Sequence, residues 1–214
     1  MAETAAYYSK VREVFFHKIE KGNNTILEFG CAEGRTGAAI KKAALAEYYV
    51  GVDIHQASID IAITLLDEAI CANLDDFDFS KLGSNRFDYV ICGDVLEHLY
   101  DPWNAVSEIF GLIKPDGKLI ITLPNTRHYS VSGSLFFKGE WRYCDAGILD
   151  RTHIRFFTKD TLKNLFSNEQ YKLCGIEPLF WGRRDSLINN MTLGIFEGLL
   201  APQWLLVLSK RDVI

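Results

Sequence analysis

The sequence predicts an α/β fold in which a mostly parallel sheet is covered by helices on both faces. Strand-like runs alternate with helical stretches from Thr25 to Asn125. The runs TILEF, YYVGVDI, FDYVICGDV and KLIITLPN are nearly continuous apolar segments. Such strands are buried on both faces, as in parallel sheets with helices on each side. The 214 residues suit a single domain over 1–214.

The first elements follow from spacing and composition. A helix is predicted from Ala5 to Lys21, because Tyr8, Val11, Phe15 and Ile19 recur at helical spacing. Core packing is the expected role of Tyr8. The next elements are, in order, the strand TILEF, the helix GAAIKKAALAE, the strand YYVGVDI, the helix QASIDIAITLLDE and the short strand AICAN.

The second half begins with the strand FDYVICGDV and the helix DPWNAVSEIFGLI, with Asp101 as N-cap and Pro102 at the first helical position. A turn at PDG leads into KLIITLPN. Residues 126–157 then form a long, aromatic insertion, which is predicted to cover the binding site of a substrate, called the acceptor site below. Thr158 is expected to cap the helix KDTLKNLF, and the strands YKLCGIEPLF and QWLLVLSKR follow.

Composition excludes several classes of function. The net charge of −5 and the lack of a basic cluster argue against a nucleic-acid partner. The cysteines form no C-x-x-C pair, so we expect reduced residues of the core or strands and no metal site. They are Cys31, Cys71, Cys92, Cys144 and Cys174.

The sequence predicts neither a secretion signal nor a membrane-spanning segment. The N-terminal stretch has no apolar signal core, which favours a cytoplasmic protein. Glu197 and Pro202 interrupt the apolar segment MTLGIFEGLLAPQWLLVLS, so a helix followed by a buried strand explains it better than a membrane span. Peripheral membrane contact remains open, as does the choice between monomer and homodimer.

The stretch TILEFGCAEGRTG brings glycines to the end of the first strand. A dinucleotide fingerprint, G-x-G-x-x-G, would need glycines where Ala32 and Arg35 stand, so a dehydrogenase is disfavoured. Gly30 allows a sharp turn, and Gly34 opens the next helix, whose N-terminus presents free N–H groups to an anion. The loop is therefore predicted to hold an adenosine with a short charged tail.

Polar or glycine residues also end the other central strands, with Asp53 on the second and Gly93 and Asp94 on the fourth. In open parallel sheets, ligands bind at the carboxyl ends of the strands where the winding reverses. A carboxylate at the end of the second strand can accept hydrogen bonds from both ribose hydroxyls. We therefore expect these residues to converge on one ligand.

The order ILEFGCAEG, VGVDI, ANLDDFD, FDYVICGDVLEHLYDPW and LIKPDGKLIITLPN closely resembles class I S-adenosylmethionine-dependent methyltransferases. GDVLEHLYDP is similar to the ubiquinone-biosynthesis O-methyltransferases, and DAGILDRTHIRFFT resembles bacterial methyltransferases of surface-polysaccharide loci. The resemblance implies a Rossmann-like seven-stranded sheet ordered 3-2-1-4-5-7-6. It also implies S-adenosylmethionine as cofactor and S-adenosylhomocysteine as product.

By position, the resemblance implies that Glu28 and Gly30 lie beside the methionine part of the donor and Asp53 binds the ribose. Asn73, where the family commonly has Asp, and Leu74 would read the adenine. The complete predicted cofactor-binding set is Glu28, Gly30, Cys31, Gly34, Asp53, Ile54, Asn73, Leu74, Gly93 and Asp94.

The candidate catalytic residues are histidines. A hydroxyl acceptor must lose a proton, and His98 is the preferred base; the alternative is a histidine satisfied by its neighbours. His153, in the segment DRTH (150–153), is a candidate for binding the acceptor, or else part of a salt-bridged anchor for the insertion. Four aromatic residues could line an acceptor pocket or pack in the core: Phe136, Phe137, Trp141 and Tyr143.

Three functions remain open. The favoured one is O-methylation of a small molecule or glycan. The alternatives are N-methylation of an amino sugar or other amine, and a non-catalytic adenosyl-binding subunit.

Overall fold

A computed structural model describes residues 11–166 and 170–211 of the chain. Its sheet has seven strands in the order β3-β2-β1-β4-β5-β7-β6, which confirms the predicted fold. The strands are β1 (Thr25–Phe29), β2 (Tyr48–Asp53), β3 (Glu68–Cys71), β4 (Phe87–Gly93), β5 (Ile113–Pro124), β6 (Tyr171–Leu179) and β7 (Gln203–Lys210).

The five strands from β1 to β5 pair in parallel, whereas β7 pairs antiparallel with both β5 and β6. The sheet separates two buried apolar clusters, as expected for strands covered on both faces. Trp204 and Phe87 contribute to one cluster, and Phe15 and Tyr49 to the other; all four side chains are fully buried.

The α-helices are α1 (Arg35–Lys42), α2 (Gln56–Ala62), α3 (Pro102–Leu112), α4 (Tyr129–Lys138), α5 (Lys159–Leu165), α6 (Arg183–Met191) and α7 (Glu197–Leu200). Two are shorter than predicted. After α1, Ala44 adopts a left-handed conformation and the chain turns so that Leu45 and Ala46 become buried.

The prediction of a long first helix is wrong for the part that the structure describes. That part contains a 3₁₀ helix at Glu13–Lys18, followed by an extended residue, Ile19. Tyr8 lies outside the described residues. Phe15 and Ile19 are buried, so the apolar spacing identified the packed face correctly while the helix type and length differed.

The predicted caps are confirmed. Asp101 accepts a hydrogen bond from the Asn104 N–H at 3.0 Å, and Pro102 is the first residue of α3. Thr158 forms a capping box with Thr161 at the start of α5. The PDG turn is absorbed into β5 as an irregularity in its pairing with β4.

All five cysteines are free thiols. Cys31 and Cys92 are buried, and Cys71 and Cys174 are exposed strand residues. Cys144 corrects the expectation, because it is exposed within the insertion.

The two ends of the insertion lie next to each other. The Thr126 N–H donates to the Phe157 carbonyl at 2.9 Å, next to the end of β5. Within it, α4 was not predicted. Near the C-terminus, the short α7 precedes the buried β7, and no helix among the described residues is long and apolar enough to cross a membrane.

Candidate cofactor and acceptor site

The register of the sheet brings the predicted strand-end residues together. Phe29, the last residue of β1, pairs with Val52 of β2 and with Cys92 of β4. Asp53 and Gly93 each follow one of those partners directly. The carboxyl ends of β2, β1 and β4 therefore form one continuous edge, which the glycine loop after β1 overlies.

The loop is built from left-handed backbone conformations. Gly30, Ala32 and Gly34 have φ of 73°, 47° and 75°. A side chain at Gly30 would be doubly unfavourable, since its Cβ would also lie 2.5 Å from Val95 Cγ2. The Gly30 and Cys31 N–H groups both point to the Val52 carbonyl, at 2.8 and 3.2 Å, so the loop is fastened to β2.

Asp53 fixes the same loop with its side chain. The buried carboxylate accepts from the Ala32 N–H at 2.8 Å through one oxygen and from the His55 N–H at 2.9 Å through the other. A carboxylate has about four acceptor sites. Asp53 thus retains capacity for further hydrogen bonds, and its predicted contact with ribose stays a prediction.

Glu28 is buried beneath the loop and accepts from the Tyr49 hydroxyl at 2.9 Å. Burial raises the pKa of Glu28 to about 7, against the opposing influence of Tyr49 and of the Arg12 guanidinium. A cation close to such a buried side chain would stabilise its ionised form.

Arg12 is the residue that sequence reasoning missed. Its guanidinium forms an ion pair with Asp94, donates to Thr122 Oγ1 at 3.1 Å and packs over the Phe15 ring. A Cβ on Gly93 would lie 2.3 Å from an Arg12 nitrogen, so the glycine makes room for this cation. A single arginine in a predicted amphipathic helix carries no signal of this role.

Asp94 is consequently engaged by protein groups. Besides Arg12, it accepts from Thr122 Oγ1 at 3.0 Å and from the Gln203 side-chain amide. Its φ of 56° is unusual for a residue other than glycine. Its predicted contact with the cofactor stays a prediction.

The remaining predicted cofactor residues differ in exposure. Ile54 is exposed and Leu74 is buried, while Asn73 Oδ1 accepts from the Asp75 N–H at 3.2 Å. The Cys31 side chain packs beneath the loop, where a Cβ on Gly51 would lie 2.6 Å from its sulfur. The backbone N–H of Cys31 donates to Val52 and its carbonyl accepts from the Gly34 N–H at 2.9 Å, so the predicted contact of Cys31 with the cofactor stays a prediction.

The two catalytic candidates come together although 55 positions separate them in the sequence. The His98 and His153 rings meet edge to face with centroids 4.8 Å apart. His98 Nδ1 lies 3.2 Å from the Thr152 carbonyl oxygen, and His153 Nδ1 lies 3.0 Å from that of Ile148. Burial and the neighbouring His153 lower the pKa of His98.

The insertion is anchored at this point. The Ile154 and Arg155 N–H groups donate to the Glu97 carbonyl at 2.9 and 3.0 Å, and Glu97 itself follows closely after β4. This contact is made by backbone groups of the two residues that follow DRTH and is not a salt bridge, so both alternatives for DRTH stay open. It also holds the insertion against the end of β4.

The four aromatic residues considered for an acceptor pocket or for the core form two separate groups. Phe136 and Phe137 are each 83% exposed and contact one another. Trp141 and Tyr143 are partly exposed and pack around Phe156 instead. A Ser- and Gly-containing stretch, YSVSGSLFFK, forms α4 and turns its two phenylalanines outward.

The described residues also line two surface cavities of similar volume. One, of about 340 Å³, is lined by Asn24, Asp88 and Lys114 near the amino ends of the strands. The other, of about 320 Å³, includes Leu74 and Asp101. Neither is lined by the glycine loop or by the histidine pair, and Leu74 in the second is one of the predicted cofactor-binding residues.

The comparison with known proteins decides the family. Residues 2–182 match the family model described as a methyltransferase domain. The chain belongs to this methyltransferase family. At the level of the family, the predicted resemblance, the enzyme class and S-adenosylmethionine as cofactor are confirmed.

Individual relatives of this methyltransferase are distant. Ubiquinone biosynthesis O-methyltransferase of Coxiella burnetii is 30% identical over 103 residues, covering 47% of this chain and 43% of that protein. An uncharacterized methyltransferase of Schizosaccharomyces pombe is 26% identical over 160 residues, covering 70% and 54%. The chain spans about half the length of these curated relatives.

A solved complex between the Haloferax volcanii Trm112 methyltransferase activator and a methyltransferase is similar in fold. Its TM-score is 0.67 at 12% identity, and the match covers 99% of this chain and 92% of the other. At that identity the likeness concerns the fold alone.

Proposed function

We propose that the protein transfers the methyl group of S-adenosylmethionine to a hydroxyl group of a small molecule or glycan. The observation that carries this proposal is the anchoring of the insertion against the end of β4, through the Glu97 carbonyl. An acceptor bound beneath the insertion would lie beside the glycine loop. Acceptor specificity is usually built on ordered loops that a rigid sheet positions.

The residues at the strand ends fit the donor. S-adenosylmethionine supplies an electrophilic methyl group on a cationic sulfonium, together with an ammonium and a carboxylate. Glu28 lies where a cation would be stabilised, and Arg12 offers a guanidinium for a carboxylate. Asp53 would accept from the ribose, and Asn73 and Leu74 would border the adenine.

Positioning supplies most of the catalysis in this proposal. Well-oriented reactants reach effective molarities of roughly 10⁵–10⁸ M, and the fixed loop and anchored insertion are the means of orienting them here. The loop is fixed because Asp53 and the Val52 carbonyl hold its N–H groups.

His98 is the proposed proton acceptor. The Thr152 carbonyl can only accept, so a neutral His98 carries its proton on Nδ1 and keeps a lone pair on Nε2. A placed base contributes about 10²–10⁴-fold to such reactions. An amine acceptor needs only to be neutral, so the presence of a base favours O-methylation over N-methylation.

The test is release of S-adenosylhomocysteine from S-adenosylmethionine over a panel of acceptors. The panel contains sugar nucleotides, lipid-linked glycans, quinols and catechols, each beside an amino analogue where one exists. We expect turnover with a hydroxyl acceptor and loss of that turnover in Asp53→Ala. Turnover of amines alone would contradict O-methylation, and donor binding with no turnover of any acceptor would indicate a non-catalytic subunit.

A further inference from the structure

Glu97, His98 and His153 form a cluster that the proposed methyl transfer does not fully use. Glu97 and His98 belong to a 3₁₀ turn, Leu96–His98, after β4, and His153 comes from the insertion. Each residue offers one ligand atom, and these atoms lie within 4.8 Å of one another. His153 Nε2 is 3.9 Å from Glu97 Oε1.

The Glu97 carboxylate is buried and, within the described part of the chain, unsatisfied in hydrogen bonding. It is fully buried, and neither carboxylate oxygen has a hydrogen-bond partner among the residues that the structure describes. Burying a carboxylate without a partner is costly, and buried charges are normally paired or bound to a metal.

Both histidines are oriented as metal ligands are. Their Nδ1 atoms face the carbonyl oxygens of Thr152 and Ile148, which can only accept. The neutral rings therefore carry their protons on Nδ1 and present unprotonated Nε2 atoms. A metal-bound histidine usually donates its other N–H to a carbonyl or carboxylate in just this way.

We propose that Glu97, His98 and His153 form a binding site for one divalent transition-metal ion. One carboxylate and two imidazoles suit zinc, iron(II), manganese or cobalt, whereas Mg²⁺ prefers oxygen ligands. Ligand atoms bonded at about 2.0–2.2 Å in a tetrahedral site lie roughly 3.4 Å apart, so small side-chain rotations would close the site. With the ion bound, His98 Nε2 would be a ligand and could not also accept a proton, so this site and the base proposed above are alternative uses of the same nitrogen. The metal site needs no methyl acceptor.

The ion would join two parts of the chain. Two ligands come from the turn after β4 and one from the insertion, which already meet through the Glu97 carbonyl. Glu97 and His153 are buried while His98 is half-buried, so the site opens on the His98 side. A bound ion would stabilise the anchored insertion and leave a coordination position for a ligand on that side.

The first test is zinc binding by tag-free protein treated with a chelator, followed by calorimetry and thermal denaturation. We expect one ion per chain and a Tm rise of roughly 5–10 °C at zinc concentrations about 100-fold above Kd. Glu97→Gln and His153→Ala should each weaken binding by roughly 100-fold. The matched control is His17→Ala, since His17 is exposed and outside the cluster.

The second test identifies the ligands in the wild-type protein, so it holds even if a variant fails to fold. X-ray absorption of the zinc form should show nitrogen and oxygen ligands at about 2.0–2.2 Å and no sulfur at about 2.3 Å. Sulfur ligation, absence of stoichiometric zinc, or equal affinity in the two variants and the control would each overturn the proposal. A failed acceptor screen would leave all of these measurements unaffected.

Discussion

The buried Glu28 should make the stability of the protein fall as pH rises, and Glu28→Gln should remove that dependence. The pKa of Glu28 is raised from 4.5 to about 7 because burial disfavours its charged form. Between these values the folded state keeps a proton that the unfolded state has lost. The native state is thus relatively stabilised below pH 4.5, and this advantage is lost as pH rises through about 7.

The size of the effect follows from the same two values. A pKa difference of about 2.5 corresponds to about 3 kcal/mol in the free energy of unfolding. Glutamine keeps an oxygen for the Tyr49 hydroxyl and does not titrate, so any cost of the substitution itself is independent of pH. The stability of Glu28→Gln relative to wild type should therefore increase by about 3 kcal/mol between pH 4.5 and 8.

The assay is urea denaturation at pH values across this range, in the absence of donor. Groups other than Glu28 titrate equally in both proteins and cancel in the difference. Glu47→Gln provides the matched control, because Glu47 is exposed. The argument would be refuted if the difference in free energy of unfolding between wild type and Glu28→Gln changed by less than about 0.5 kcal/mol over this pH range.

Three further predictions concern other parts of the account. Asp53→Ala should weaken binding of both S-adenosylmethionine and S-adenosylhomocysteine by about 1.5–3 kcal/mol, and unchanged calorimetric affinity would overturn the ribose assignment. Trp141→Ala should impair use of the acceptor while donor affinity stays nearly intact; joint loss of donor affinity and thermal stability would instead identify the insertion as a structural clamp. Thr158→Ala should lower stability by about 1 kcal/mol in denaturant titration through loss of the cap on α5, and an unchanged midpoint would contradict the capping role.

The sequence predicted those features that local patterns determine. Nearly continuous apolar runs located the four central strands, and Asp101, Pro102 and Thr158 marked two helix starts correctly. Residues that end parallel strands also converge by topology, so the glycine loop, Asp53 and Gly93 could be grouped in advance. The order of the strands came from resemblance to the family.

Contacts across long sequence distances could not be predicted. The Arg12–Asp94 pair joins residues 82 positions apart, and His153 reaches Glu97 only because of the path of the insertion. Helix α4 was missed because serine and glycine are weak helix formers. Its exposed phenylalanines show why aromatic content alone does not identify a pocket.

The most direct test of the account is a crystal structure of the protein with S-adenosylhomocysteine. We predict that the nucleoside lies over the carboxyl ends of β1, β2 and β4, with its ribose hydroxyls within hydrogen-bond distance of Asp53 and its amino acid part between Glu28 and Arg12. A nucleoside bound elsewhere, or one whose ribose does not contact Asp53, would contradict the account.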